Sequence, residues 1–237
     1  MTFRFDLHTH TFFSKDACHS PEEMIAAAVR LGLNGMAITD HDTCAAHRYL
    51  IGKNLPPDFL VVPGVEVGTA EGHLLCLGAV LPCMKGRPAR EVVAEIQKAG
   101  GVAVPAHPFD RWRAGIRAEV LDTLDAGTLE VFNAAVTSRS YNDAARDYAT
   151  GRGWSGIAAS DAHHDSAVGI ATTVFEMDEL SLPALLAAIR RGGKPEGNYL
   201  TFREGVKKHL ANWFRIVNRR GAAARREFER DGFPQSN

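Results

Sequence analysis

Histidine and carboxylate residues recur in short motifs along the chain, and these residue types bind metal ions and move protons. The motifs are Asp6-Leu7-His8-Thr9-His10, Thr39-Asp40-His41-Asp42, Pro63-Gly64-Val65-Glu66, Gly72-His73, Ala106-His107-Pro108 and Ser160-Asp161-Ala162-His163-His164. Side chains two residues apart in an extended segment point the same way. His8 and His10 can therefore bind one metal ion.

The number of these side chains indicates more than one cation. Each motif alone is also compatible with a structural histidine. Together, however, six histidines and several carboxylates at one place would be poorly solvated and repulsive unless cations lay among them. Two or three ions bridged by a carboxylate satisfy such a set, and Zn, Mn and Fe all accept mixed imidazole and carboxylate ligands. No cysteine stands in these motifs, which argues against a structural thiolate zinc site.

The elements that must position these residues are short strands alternating with segments of helical period, a pattern typical of βα units around a parallel sheet. The predicted strands are residues 3–7, 35–39, 59–65, 73–80, 102–105, 128–132 and 156–159, with 172–175 as an eighth candidate. Most motifs then fall just after a strand, where parallel α/β folds place their active sites. About seven strands in one series favour a barrel over an open sheet.

Helix signals separate these strands. Ser20-Pro21-Glu22-Glu23 is a capping box with proline at the first helical position, and Gly32 stands where a left-handed residue would end that helix. Further helices are predicted at residues 91–99, 138–150 and 182–191, the last two ending near Gly151 and Gly192.

Composition describes an ordinary globular protein. The chain has 237 residues, 45% hydrophobic and 23% charged, and a formal net charge of −1. This balance gives no bulk electrostatic case for coating nucleic acid or a membrane. No apolar stretch suffices to span a bilayer and the start lacks a secretory signal, so we expect a soluble, cytoplasmic protein. The four cysteines form no C-x-x-C pair and are interpreted as reduced, buried thiols.

The last part of the chain differs in character. We expect a catalytic domain over residues 1–192 and a basic helical extension over 193–237, because Gly192-Gly193-Lys194-Pro195 is a breaker cluster. Residues 201–237 hold nine Lys or Arg against four Asp or Glu. Phe202, Val206, Leu210, Trp213 and Val217 lie on one face of the predicted amphipathic helix. That face would pack on the barrel, form a homodimer or contact RNA.

With these motifs in this order, the chain resembles the PHP (polymerase and histidinol phosphatase) superfamily of metal-dependent phosphoesterases. The resemblance covers about residues 3–190. It implies a distorted seven-stranded (β/α) TIM-like barrel with a trinuclear site at the carboxyl ends of the strands. A C-terminal amphipathic helix would follow the barrel.

The resemblance also implies a ligand set. His8, His10, Glu66 and Asp161 would bind a first ion, and Glu66 would bridge to a second ion held by His73 and His107. His41 and His163 would hold a third ion. Relatives with a Ser-Asp-Gly stretch place a further aspartate five residues after the second histidine, where this chain has Lys15. Asp16, one residue on, is the predicted ligand, with a simple loop acid as the alternative.

The predicted chemistry is hydrolysis of a phosphomonoester or phosphodiester, with a nucleotide or a nucleic-acid end as the preferred substrate. Metal binding lowers the pKa of water toward about 7, so a metal-bound hydroxide can attack phosphorus. The predicted catalytic residues are Glu66, Asp161, His163 and Asp40. His163 or Asp40 would donate a proton to the leaving oxygen, while Asp6 and Asp40 would orient ligand histidines.

The substrate phosphate is predicted to bind arginine, because a guanidinium offers two parallel hydrogen bonds. Arg111, Arg113 and, more weakly, Arg139 are the candidates, with solvated loop charges as the alternative. The chain from Ala106-His107-Pro108 to the last motif is short and shows no inserted lid, which favours a long or varied substrate.

Three other functions stay open at this point. They are a non-catalytic metal-binding PHP module, a small-molecule phosphatase similar to histidinol phosphatase, and an amidohydrolase that cleaves C–N bonds. The last would need a bridging lysine where this chain offers Glu66.

Overall fold

Strands and helices alternate along the chain, as its sequence predicts. The computed structural model describes residues 1–201, 203, 206, 210, 213 and 219–229. Its strands are β1 Thr2–Thr9, β2 Gly35–Ile38, β3 Leu60–Gly68, β4 His73–Leu77, β5 Val102–Pro105, β6 Thr128–Asn133, β7 Ser155–Ala159, β8 Ala171–Glu176 and β9 Lys194–Gly197. Its helices are α1 Pro21–Arg30, α2 Ala45–Leu50, α3 Ala89–Lys98, α4 Ala118–Leu121, α5 Arg139–Arg152, α6 Leu182–Arg191 and α7 Ala222–Phe228.

A curled seven-stranded sheet forms half of a barrel, in the order β5-β4-β3-β2-β1-β8-β9. β6 and β7 form a separate parallel pair. The prediction of an α/β fold of this type is confirmed, but the continuous ring of a TIM barrel is not found in the described part of the chain.

The β6–β7 pair is attached to the large sheet at a few points only. Thr9 at the end of β1 bridges to Ala162 just after β7. The hydroxyl of Thr173 on β8 bonds both the amide and the carbonyl of Ala158 on β7. Main-chain pairing is therefore replaced by isolated bonds where the barrel would close.

The prediction of a parallel sheet is wrong for several strands. β1, β2 and β3 are parallel, whereas β4 is antiparallel to β3 and β8 is antiparallel to β1. Residues 69–72 join β3 to β4, and a connection this short permits a hairpin but no crossover helix. Consequently the first residue of β4 lies beside the last residue of β3.

β9 is a second correction, because the breaker cluster continues into a strand. Lys194–Gly197 pairs antiparallel with β8 and forms the outer edge of the sheet, where proline is tolerated because it need not donate a ladder bond. The sheet therefore extends beyond the predicted domain boundary at residue 192.

Local helix signals are largely realised. Ser20 and Glu23 make the reciprocal capping-box bonds at the start of α1, and Gly32 has a φ of +68° just past its end. α5 runs past Gly151 and ends at Gly153, which takes the left-handed conformation instead. The short helices α2 and α4 were not predicted.

The apolar core lies beneath the strand ends and fixes their positions. Phe5 and Leu7 of β1 are fully buried, and the rings of Phe5 and Phe175 are 6.1 Å apart. Leu185 and Ile189 of α6 belong to the same cluster. Burying a side chain of this size contributes about 1.5–3 kcal/mol. Such packing makes the sheet a rigid support for side chains at its edge.

The structure describes only some residues of the predicted C-terminal helix. Phe202 and Val217, with most of residues 202–218, lie outside the described residues. Val206, Leu210 and Trp213 are exposed, at 40%, 54% and 58%. Further on, α7 packs against the body of the protein through the ring of Phe228, whose centroid is 5.4 Å from that of Tyr49.

Two predictions from composition can be compared with the structure. Among the described residues, none of the helices combines the length and the apolar character that crossing a bilayer requires. Three of the cysteines are buried free thiols, but Cys83 is exposed, because it lies in the loop that follows β4.

Candidate metal centre

The predicted ligand motifs meet at one edge of the sheet. Because β1, β2 and β3 are parallel, the residues at their carboxyl ends lie side by side, and His41 forms an isolated bridge with Glu66. The hairpin turns β4 around, so His73 at its start pairs with Gly68 at the same edge. β5 in turn is antiparallel to β4 and brings His107 to this edge.

Four side chains form a first group. The Nε2 atoms of His8 and His10 each lie 3.3 Å from Glu66 Oε2. They lie 3.8 Å and 3.4 Å, respectively, from Asp161 Oδ1. Ligands about 2.1 Å from a tetrahedral zinc ion are about 3.4 Å from one another. The spacing of these four atoms therefore suits a single cation between them.

The second carboxylate oxygen of Glu66 belongs to a second group. Glu66 Oε1 lies 2.8 Å from His73 Nδ1 and 3.0 Å from His107 Nε2. His41 Nδ1 lies 3.0 Å from Glu66 Oε2, on the boundary between the groups. Glu66 thus presents one oxygen to each group, which is the arrangement of a bridging carboxylate.

Asp16 completes a third group with His41 and His163. Asp16 Oδ2 lies 2.9 Å from His163 Nε2 and 3.6 Å from His41 Nε2. Ligand atoms of His10, His41 and His163 also lie within 4.8 Å of one another. The structure therefore brings Asp16 to the place where the sequence left the register open, whereas Lys15 is exposed.

Several buried atoms of this centre have no hydrogen-bond partner. They are His8 Nε2, His10 Nε2, Glu66 Oε2, His73 Nδ1 and Asp161 Oδ1. A buried polar atom without a partner costs about 1–3 kcal/mol, so a well-packed protein avoids such a cluster unless something else satisfies it. The atoms converge, and imidazole with carboxylate suits first-row divalent ions. The donor set therefore fits divalent cations.

Glu130 on β6, which the sequence motifs do not predict, fixes the ring of His8 and holds the backbone of His107. Its Oε1 accepts a hydrogen bond from His8 Nδ1 at 3.1 Å, which leaves His8 Nε2 to face the centre. Its Oε2 accepts from the backbone amide of His107 and from Asn133 Nδ2. Carboxylate-bound histidine is a recurrent feature of metal sites.

Asp40 acts on His10 through Ser14. His10 Nδ1 lies 3.1 Å from Ser14 Oγ, and that hydroxyl donates to Asp40 Oδ1 at 2.7 Å. Asp40 also accepts bonds from the amide and the hydroxyl of Thr11. These contacts make Asp40 a residue that orients the loop after β1, and they place its carboxylate on Thr11 and Ser14 instead of on a reacting group.

The sequence predicts that Asp6 orients a ligand histidine. In the structure its carboxylate instead holds the loop that carries Asp161. Its carboxylate accepts bonds from the amide and hydroxyl of Ser160 and from the amide of Gly169. Burial raises the pKa of Asp6 to about 6, against these hydrogen bonds, which lower it. Asp6 thus links the first strand to the segment after β7.

Asp161 is held from its outer side. Its Oδ2 lies 2.6 Å from Arg113 Nη1 and accepts a bond from Asn133 Nδ2 at 3.0 Å, while Oδ1 faces the histidines. The φ angles of Asp161 and His107 are +55° and +30°, in the left-handed region. Strained backbone of this kind persists at functional sites when the surrounding structure enforces it.

The charged groups of the centre stabilise one another. Burial opposes ionisation of Glu66, but His41, His8 and His73 outweigh it and hold the pKa of this carboxyl well below its usual value. Burial likewise disfavours the charged form of His41, yet Glu66 and Asp16 raise its pKa to about 10. By contrast, burial lowers the pKa of His107. The Glu66 carboxylate and the His41 imidazolium therefore favour each other's charged forms.

The three predicted phosphate-binding arginines lie in different settings. Arg111 is exposed in a 3-10 turn, Arg111–Arg113, after β5. Arg113 belongs to the same turn, but its guanidinium bonds Asp161 instead of facing solvent. Arg139 begins α5, and its guanidinium lies 4.5 Å from the centroid of the Tyr199 ring. Only Arg113 is in direct contact with the metal centre.

The fold and the site define a class: an α/β half-barrel protein whose sheet carries, at one edge, histidine and carboxylate clusters that could hold metal ions. Residues 6–128 match the family model described as PHP domain, and residues 139–193 match the model described as PHP-associated. The chain belongs to the PHP domain family.

Relatives of known sequence or structure are consistent with this membership. Uncharacterized protein MJ1587 of Methanocaldococcus jannaschii is 31% identical over 141 residues, which are 54% of this chain and 81% of that protein. The 5'-3' exoribonuclease Rnm of Escherichia coli is 40% identical over 78 residues, 29% of this chain and only 24% of Rnm. Endonuclease Q, solved with a 27-mer duplex bearing an abasic lesion, superposes with a TM-score of 0.63 at 18% identity, covering 87% of this chain and 67% of that one.

Proposed function

We propose that this chain hydrolyses phosphate ester bonds at the ends of nucleic acids and that divalent cations in the metal centre support the reaction. Its class, a metal-dependent phosphoester hydrolase, follows from its membership of the PHP domain family. The observation that carries the proposal is the position of Glu66, a fully buried carboxylate with one oxygen in each of two histidine groups. Nuclease names among the similar proteins favour nucleic acid over a small metabolite.

Bound cations at this centre would activate water and neutralise charge on the phosphoryl group. The protein's own residues supply position. His8, His10, Glu66 and Asp161 would hold one cation, Glu66, His73 and His107 a second, and His41, His163 and Asp16 a third. Zn, Mn and Fe are the proposed ions, because the donors are imidazole and carboxylate.

His163 is the proposed proton donor to the leaving oxygen where the third cation is not bound, because its Nε2 atom cannot both bind a cation and carry the proton. Its Nδ1 bonds the backbone carbonyl of Asp161 at 2.8 Å, which fixes the ring and turns Nε2 toward Asp16 and the open side of the centre. A leaving oxygen on the Asp16 side of the centre would therefore lie near this nitrogen. Arg113 supports Asp161, whereas Arg111 on the same turn is exposed and available to substrate.

The first experiment is an assay of phosphate and mononucleotide release with protein loaded with Mn or Zn, alongside its chelated form. The substrates are phosphomonoesters, nucleoside bisphosphates, and 5′-phosphorylated RNA and DNA oligomers. Metal-dependent turnover of oligomers supports the proposal. Turnover of monoesters alone indicates a small-molecule phosphatase, and no turnover by fully metallated protein indicates a non-catalytic module.

Glu66→Gln provides the matched variant. Replacing one charged oxygen by an amide removes the bridge, and we expect loss of activity by at least about 100-fold together with loss of at least one bound ion. Elemental analysis and the phosphate assay measure these effects. Glu91→Gln, on the exposed surface of α3, should keep full activity. An active, fully metallated Glu66→Gln protein would overturn the assignment of the centre.

Two finer statements stay predictions from the sequence. They are a cytoplasmic location and a homodimer formed through the basic C-terminal helix. Light scattering of the purified protein tests the second.

A further inference from the structure

A large cavity opens from one side of the metal centre. The proposed hydrolysis of a phosphate ester gives this cavity no role. Its volume is about 1010 Å³. Asp16, His41 and His73, the partly exposed members of the centre, form its inner end. A drug-sized ligand needs about 300–1,000 Å³, so the phosphate of a small monoester would leave most of this space unfilled.

Basic side chains from separate parts of the chain line this cavity. Lys15 follows β1 and is exposed, and Lys85 lies in the loop after β4 with 68% of its side chain exposed. Lys85 Nζ lies 2.5 Å from Asp42 Oδ2, and Asp42 in turn accepts the amide of Gly68 at 2.8 Å. Asp42 thus directs the lysine along the wall while two further ammonium hydrogens remain available to an anion.

The C-terminal region supplies the outer wall of the cavity. Arg225 of α7 lines it, with its Nη1 bonded to the carbonyl of Phe12 at 2.7 Å. Phe228 of the same helix packs on Tyr49, so the wall is held at two points. Glu229 at the end of the helix also reaches the cavity. Against Lys15, Lys85, Arg48 and Arg225, the acids there are Asp42, Glu229 and the metal-facing Asp16.

Apolar side chains also line the cavity. Phe13 and Pro82 are among them, together with Thr43. A cavity that combines cationic groups with apolar surface offers what a single polynucleotide strand requires. The metal ligands His8, His10 and Glu66 are fully buried, so a substrate must reach a recessed centre through a space of this kind.

We propose that this cavity binds the single-stranded segment of a polynucleotide whose terminal phosphate ester lies at the metal centre, with Lys15 and Lys85 contacting its backbone phosphates. The inference rests on the proposed function and deepens it, because it states where the rest of the substrate lies. RNA and DNA share the backbone chemistry that these lysines would recognise.

The test is a binding measurement that does not depend on turnover. Fluorescence anisotropy with a labelled, 5′-phosphorylated 10-mer of RNA or DNA is compared between wild type and the double variant Lys15→Gln/Lys85→Gln, both loaded with Mn at low temperature. We expect the dissociation constant to rise by about 10-fold or more. The dependence of log K on log salt should flatten by about 0.7 per lost contact, or about 1.4 for the pair.

A matched control is Lys98→Gln with Lys194→Gln, since both lysines are exposed and lie outside the cavity. This pair should leave binding unchanged. Equal binding by the wild type and the Lys15/Lys85 variant would overturn the proposal, as would tighter binding of duplex than of single strand. Equal losses in both double variants would also overturn it, because the effect would then be one of net charge.

The RNA and DNA arms identify which polynucleotide is preferred. Hydrolysis of p-nitrophenyl phosphate by the Lys98/Lys194 control variant should stay within about twofold of wild type, since neither lysine lies in the cavity. A wild type that binds the oligomer but hydrolyses nothing refutes the proposed function and leaves the binding site standing. If the wild type hydrolyses oligomers but the lysine substitutions do not change binding, the proposed function stands and the proposed binding site is refuted.

Discussion

Glu130 connects histidines that belong to two different groups of the metal centre. His8 is in the first group and His107 in the second, and both bond the same fully buried carboxylate. Three donors, counting Asn133 Nδ2, meet its two oxygens. The two groups are therefore positioned by one side chain that itself contacts neither the substrate nor the ions.

Replacing Glu130 by glutamine should weaken metal binding. An amide has one acceptor oxygen, so at least one of the three donors would face an NH2 group. We expect the affinity for Zn or Mn to fall by about 10–100-fold, the usual effect of removing a partner of a ligand histidine. Competition with a chelating dye measures this.

A suitable control for Glu130→Gln is Glu95→Gln, because the Glu95 side chain is 49% exposed on α3. Circular dichroism melting of the metal-free proteins shows whether both variants fold. Unchanged metal affinity in a folded Glu130→Gln protein would contradict the positioning role.

The role of Glu130 could not be predicted from the sequence. It lies within the strand segment Thr128-Leu129-Glu130-Val131-Phe132, away from any histidine motif, and its partner His8 is 122 positions distant. A buried acid in a strand is a signal, because such a group must be paired. The identity of the pair, however, depends on tertiary packing that no local pattern records. The strand-end motifs could be found because histidine and acid recur there in short spacing.

At the scale of elements, the loop after β5 depends on Gly115. A Cβ atom at this position would lie 2.5 Å from the carbonyl oxygen of His107 and 2.6 Å from the amide nitrogen of Asp110. These are backbone atoms that cannot rotate away. The loop carries His107 and Arg113, so its path determines two contacts of the metal centre.

Gly115→Ala should therefore destabilise the protein by about 1–3 kcal/mol, as overpacking does, and should weaken metal binding as well. Gly151→Ala is the control: it lies within α5 with open space around it, and alanine there should stabilise by about 0.4–1 kcal/mol. Urea unfolding and the dye competition assay measure both variants. If Gly115→Ala were as stable and as metal-competent as wild type, the loop would be adaptable instead of fixed.

His47 joins the short helix α2 to two strands. Its Nε2 lies 3.0 Å from the carbonyl oxygens of Ile38 at the end of β2 and of Gly64 in β3. Burial lowers the pKa of His47, although these carbonyls oppose the shift. These contacts give His47 a structural role.

The lowered pKa gives a pH dependence of definite sign. Below its ordinary pKa of about 6.5, the unfolded chain binds a proton at His47 that the folded protein resists, so stability is lost as pH falls. One proton limits the slope to about 1.4 kcal/mol per pH unit. In His47→Gln the amide can donate to the same carbonyls without titrating.

Urea unfolding at pH 7.5 and 5.5, with chelator throughout, tests this expectation. The free energy of unfolding should fall less between these pH values in His47→Gln than in wild type, because titrations elsewhere are common to both proteins. An equal fall in the two proteins would show that His47 does not contribute.

Much of the architecture could be predicted at the scale of elements. The predictions that were wrong or missing have local causes. β5 was predicted with its observed bounds because an apolar run stands between glycines and a proline. β9 was missed because Lys194-Pro195-Glu196-Gly197 has no strand pattern of its own, and it pairs only because β8 leaves an open edge. The antiparallel direction of β4 was also missed, although the four-residue connection before it carried that information.

At the scale of the whole molecule, the centre is assembled by contacts between distant parts of the chain. Asp6 near the start bonds Ser160, 154 positions later, and Thr9 bridges to Ala162. These contacts bring together His8, within the region that matches the PHP domain model, and Asp161, within the region that matches the PHP-associated model. The same assembly concentrates negative charge, which protonated histidines balance while no cation is present.

Cation binding should consequently release protons from the histidines of the centre. Burial opposes the charged form of His8, but Asp161, Glu66 and Glu130 raise its pKa well above the usual value, and the pKa of His41 is about 10. With a pKa of about 10, His41 is protonated at pH 7.5 before a cation binds and must lose that proton to act as a ligand, and the raised pKa of His8 acts in the same direction. We expect release of at least one proton per chain, and an apparent affinity that rises by about 10-fold per pH unit around neutrality for each proton released. Titration calorimetry in buffers of different ionisation enthalpy counts the protons directly, since the observed heat varies linearly with that enthalpy. A slope of zero would mean that His41 is already neutral before a cation binds, and this expectation would then be wrong.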